Sequence, residues 1–145
     1  MKNIRGYSLI ELLFIVIVVA VLAAVAIPRL GVPYIKKAKL RVVARGMLSS
    51  LRYARSLAIT NDENYRLNVN SSAKEYKIYD SANVQIGNTQ TIDPIITINA
   101  DKDFIFEPLG NASSSSDTTV SLSAEGTQIT ITVTTATGRV AMQES

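Results

Sequence analysis

With 145 residues and a mass of 15.7 kDa, the chain has room for one modest head and no second core. It contains no cysteine and no histidine, which excludes a disulfide framework, thiolate chemistry and every mechanism that needs an imidazole base or metal ligand. The net charge of +3 conceals an asymmetry: residues 12–61 carry eight basic side chains and no acid, whereas residues 62–145 carry five basic against eleven acidic ones, a balance of −6. Such a basic stem and acidic head favour association between the stem of one copy and the head of another, weakly and in a salt-dependent way.

The chain opens on a short basic leader, residues 1–6, in which Lys2 and Arg5 favour the cytoplasmic side of a membrane. Gly6-Tyr7-Ser8-Leu9-Ile10-Glu11 then leads into residues 12–27, sixteen positions without a polar side chain. Counted from Leu9 to Ile27 the apolar segment has 19 residues, which as a helix spans about 28 Å and so matches the hydrocarbon thickness of a bilayer. Glu11 is the exception near its start. An ionised carboxylate at mid-membrane costs about 2.5–3.5 kcal/mol, so it calls for a cation. An α-amino group at Tyr7, four residues earlier on the same helical face, would supply one, and it exists only if the chain is cut after Gly6. Two other readings fit the length alone: a plain membrane anchor, and a secretory signal peptide cleaved at Ala24-Val25-Ala26. Neither has a use for Glu11.

Pro28 ends the apolar run as a kink or a helix restart, and with Gly31 and Pro33 close behind it the helix is expected to be weakened locally. From residue 34 to residue 59 the apolar positions Leu40, Val43, Ala44, Met47, Leu48, Leu51, Ala54 and Ala58 follow helical spacing. Arg41, Arg45, Arg52 and Arg55 fall on the other side, as a solvated face or as a surface for nucleic acid or anionic lipid. Gly46 costs roughly 1 kcal/mol in a helix interior compared with alanine; close packing against the head is one reason for a glycine there, which the residue alone does not establish. Asn61-Asp62-Glu63-Asn64 ends the helix.

Alternating apolar residues then predict a hairpin (Tyr65, Leu67, Val69 against Tyr76, Ile78). Later strands are expected at Val84 and Ile86, Ile96 and Ile98, Phe104 and Phe106, Val120 and Leu122, and Ile129, Ile131 and Val133. Turns are expected at Gly87-Asn88, Pro108-Leu109-Gly110 and Ala124-Glu125-Gly126. The fold class is therefore α+β, a long N-terminal helix packed against a C-terminal antiparallel sheet or small sandwich. Four consecutive serines, Ser113 to Ser116, read as a flexible surface loop, since without an activating base they are poor nucleophiles. The sequons at Asn70 and Asn111 read as loop composition. Asp101 and Asp103 fit a solvated strand edge better than a calcium site. No catalytic residue, metal or cofactor is assigned.

The Gly6-Tyr7 junction, the Ser8-Leu9-Ile10-Glu11-Leu12-Leu13 run, the unbroken apolar helix and Ala24-Val25-Ala26-Ile27-Pro28 resemble the class III signal of type IV pilins and type II secretion pseudopilins. The resemblance implies cleavage between Gly6 and Tyr7 by a prepilin peptidase and N-methylation of Tyr7. It also implies an assembly role for Glu11, neutralising the amine of a neighbouring subunit, and a kink at Pro28. Implied partners are other pilin or pseudopilin subunits and an inner-membrane assembly platform. The implied division is a leader (1–6), a transmembrane helix (7–27), its amphipathic continuation (28–60) and a β-rich head (61–145) facing the periplasm or exterior.

Leu51 to Ile59, Phe104 to Gly110 and Ile129 to Val133 leading to Thr137-Gly138-Arg139-Val140 are further similar to the GspH/FimT group of minor pilins and pseudopilins. Some FimT-like members resemble DNA receptors through a Gly-Arg-x-Arg pattern. In this chain Gly138-Arg139-Val140-Ala141 keeps the first arginine and has alanine at the second, so nucleic acid is the alternative partner, with Arg139 as its contact.

Overall fold

A computed structural model describes residues 8–145, the side chains of residues 25–32 excepted. The chain divides into two compact units, Met1–Ile35 and Lys36–Ser145. One helix, α1 (Leu9–Asn61), contributes to both and includes Pro28 and Pro33. The expected weakening there therefore leaves no break: a proline inside a helix removes one hydrogen bond and strains one turn, while the turns around it keep theirs. Among the described residues no helix is long and apolar enough to cross a membrane.

In the first unit α1 exposes large apolar side chains on every face, Leu9 at 88% and Phe14 at 67% among them. In the second unit the same helix turns amphipathic. Leu40, Ala44, Met47, Leu51, Ala54 and Ala58 are fully buried, with Val43 and Leu48 packed against them, the spacing the sequence predicts. Gly46 lets Tyr76 in: a Cβ there would lie 3.3 Å from the tyrosine oxygen, and burial raises the Tyr76 pKa although Ser50 hydrogen-bonds to it. The helix ends on Asp62 in the left-handed conformation (φ 54°), with the Glu63 N–H donating to the Ala58 carbonyl at 3.3 Å, a Schellman-type closure.

Eight strands follow: β1 (Tyr65–Asn70), β2 (Glu75–Tyr79), β3 (Gln85–Thr91), β4 (Thr97–Ile98), β5 (Lys102–Phe106), β6 (Thr119–Ala124), β7 (Thr127–Thr134) and β8 (Arg139–Glu144). They form two four-stranded antiparallel sheets, ordered β3-β2-β1-β5 and β4-β6-β7-β8. Strict alternation buries Leu67, Val69, Phe104 and Phe106 from the first sheet and Val120, Leu122, Ile129, Ile131 and Val133 from the second, in one core shared with α1. Every buried residue of the described chain lies at or after Leu40, so a fragment from about residue 34 onward retains the whole core and folds as a unit.

Three local expectations are corrected. Gly87 and Asn88 are not a turn but part of a bulge within β3, where residues 87–89 face the single Lys77, and the left-handed φ of Gly87 (73°) serves that bulge. Val84 stands outside the strand and 57% exposed, in a turn closed by the Asp80 N–H to the Val84 carbonyl. The serine run is not free. Ser116 Oγ accepts from the Ile105 N–H at 3.0 Å, the Ser113 N–H donates to the Ile105 carbonyl and the Asp117 N–H to the Asp103 carbonyl, so the segment lies along the outer edge of β5. The Ala112 N–H reaches the Thr135 carbonyl and links this segment to the second sheet. The turn at Ala124-Glu125-Gly126 is a two-residue hairpin with positive φ at Glu125 (49°) and Gly126 (71°), the twist-matched kind.

Candidate functional site

The expected site residues do not converge. Gly6 and Tyr7 lie outside the described residues, as does the Pro28 side chain. Glu11 sits exposed in the first turn of α1, its N–H donating to the Ser8 carbonyl at 3.0 Å, where a carboxylate favourably meets the helix dipole. Among the described residues it has no ion-pair partner. Arg139 opens β8, exposed, more than a hundred positions away in the chain.

Around Arg139 the head builds a concavity of about 520 Å³ lined by Arg52, Arg55, Gly138, Arg139 and Val140. Its geometry follows from two glycines in the left-handed region, Gly110 (φ 81°) and Gly138 (φ 60°). They touch: a Cβ on Gly138 would fall 2.0 Å from the Gly110 carbonyl oxygen and 3.0 Å from Arg55 Nε. A Cβ on Gly110 would fall 2.7 Å from Ile59 Cδ1. Only glycine meets both demands at once, the backbone angle and the absent side chain. Arg55 Nε donates to the Gly110 carbonyl at 2.7 Å and so ties the helix to the loop after β5. Arg55 is therefore partly buried, not part of a freely solvated face as expected. The sequence singled out Gly110 and Gly138 separately; that they meet under Arg55 follows from the pairing of the sheets, which no local pattern encodes.

Part of the basic stem is engaged by the head of the same chain. Lys36 pairs with Glu125, and Lys39 with Asp93 at 2.7 Å. Arg41 grips Glu144 through Nη2 at 2.6 Å and through Nε at 3.1 Å to both carboxylate oxygens. Much of the stem-to-head complementarity read from composition is thus closed within one chain. It leaves a mark on titration. The Lys39 ammonium and the Ile95 N–H hold Asp93 below the usual carboxylate range, Ser71 does so for Asp101, and Arg41, then Lys37 and Arg45, for Glu144. At Asp117 burial pushes the other way, but the Asp103 N–H and Lys102 outweigh it and the value is again lowered. A carboxylate whose folded pKa is depressed stabilises the fold above its unfolded value, near pH 4, and loses that contribution as pH falls through the folded value. With no histidine to titrate, thermal melts of residues 34–145 should be level between about pH 5 and pH 7 and fall steeply below about pH 4. A marked fall already between pH 7 and pH 5 would contradict this assignment.

A single N-terminal helix whose later turns enter the core of an antiparallel two-sheet head is the fold of pilin-type filament subunits. Solved structures of two proteins are among those that share it. The minor pseudopilin EpsH from the type 2 secretion system of Vibrio cholerae is 11% identical, with a TM-score of 0.59 over 72% of this chain and 96% of that one. The type IV minor pilin FimU of Pseudomonas aeruginosa is 16% identical, with a TM-score of 0.61 over 77% and 92%. No curated protein matches the sequence. The chain belongs to the GspH family, whose model, described as type II transport protein GspH, matches residues 43–139. It is accordingly a minor pseudopilin or pilin, a structural subunit and not an enzyme.

Proposed function

We propose that this subunit is processed between Gly6 and Tyr7 by a prepilin peptidase, N-methylated on Tyr7, and held by residues 7–27 in the inner membrane with its leader cytoplasmic. Residues 28–60 continue the helix towards a head of residues 61–145 outside the cytoplasm, and Pro28 kinks it. An inner-membrane assembly platform then moves the helix into a bundle of like helices, where apolar surface exchanges lipid for protein contacts. Glu11 sets the register by meeting the amine of a neighbour. The observation that supports this reading most is the contrast within α1: large apolar side chains from Leu9 to Leu22 stand exposed, whereas Leu40, Ala44, Met47, Leu51, Ala54 and Ala58 are spent on the head's own core. Exposed apolar surface on that scale belongs against lipid or other helices.

Mass spectrometry of the chain from native membranes tests the processing. The expected product starts at Tyr7 and carries one added methyl group; a product starting at Met1 or at Ile27 would contradict it.

A further inference from the structure

Arg52, Arg55 and Arg139 share one concavity, and among the described residues none of them is in an ion pair. Arg55 is held by the Gly110 carbonyl through Nε, a bond that uses one of the five N–H donors of its guanidinium. Three guanidinium groups gathered without a carboxylate repel one another, and an anion from outside relieves that repulsion. We propose that this concavity is a receptor for an acidic peptide segment of a partner protein, which places a carboxylate in the bidentate fork of an arginine.

Two features favour a carboxylate over a nucleic acid strand. A nucleic acid needs a track of positive charge, and the arginine stripe of α1 is interrupted: Glu144 occupies Arg41 and sits in the field of Lys37 and Arg45. Among the described residues the lining holds no aromatic side chain on which a base could stack. The inference goes beyond assembly through α1 and does not require it, since the concavity lies wholly within Lys36–Ser145.

Fluorescence anisotropy of a labelled six-residue polyglutamate peptide with the fragment from about residue 34, at about 50 mM salt, tests it. Saturable binding is expected, weakened roughly tenfold or more in Arg52→Gln/Arg139→Gln, a double variant of exposed side chains that should melt like the parent. Arg45→Gln, which removes a similar charge outside the concavity, should bind within about twofold of the parent. The proposal is overturned by an absence of saturable binding, by equal losses in the double variant and in Arg45→Gln, or by a single-stranded oligonucleotide binding more tightly than the peptide through the same arginines.

Discussion

Replacing Gly138 by alanine should destabilise the head by about 2–5 kcal/mol, the sum of left-handed backbone strain and an overpacked contact. The new Cβ would need to share space with the Gly110 carbonyl oxygen, 2.0 Å away, and that oxygen is backbone already fixed by Arg55. No rotamer change relieves it. For a unit of this size the loss corresponds to a fall in Tm of roughly 8–20 °C. Gly126→Ala separates the two contributions. Gly126 has a similar φ of 71° but nothing within 4 Å of the added methyl, so it should cost only the backbone share, about 1–2 kcal/mol. Equal falls in Tm for the two variants would show that the Gly110–Gly138 contact does not brace the head.

The second large effect is expected at Glu11. Glu11→Ala should spare membrane insertion, because it removes the one charge in the apolar run, and should spare cleavage after Gly6. Incorporation into filaments should fall at least about tenfold, since deleting one member of a charge pair in a water-poor setting leaves the other unpaired. Glu11→Gln should fail in the same way: it keeps the shape and loses the charge. Filament content equal to the parent in either variant would remove Glu11 from assembly.

Much of the fold was legible because burial follows simple periods. The 3.6-residue spacing from Leu40 to Ala58 and the two-residue spacing of β1, β2, β5, β6 and β7 are recovered in the buried positions. β8 carries no such signal: only Val140 is buried and the strand is otherwise exposed, so its place beside β7 comes from pairing and not from its own pattern. β3 misled for a related reason, being an exposed edge strand whose glycine serves a bulge. Ile92 went unread among irregular residues, yet is fully buried, its N–H bonded to the Lys74 carbonyl at 2.7 Å. The arginine concavity was half legible. Arg139 stood out beside its glycine, but Arg52 and Arg55 read as a solvated face, because nothing in a helical period tells which loop will return to meet it. The intramolecular partners of Lys36, Lys39 and Arg41 were hidden in the same way, at separations of 89, 54 and 103 residues.

Filaments sheared from native cells give the most direct test of the assembly account. The chain should be found in that fraction starting at Tyr7, and a Gly6 substitution that blocks cleavage should leave it in the membrane fraction. Recovery of the uncleaved chain, beginning at Met1, within assembled filaments would contradict the account, because the amine that Glu11 is held to meet would not exist.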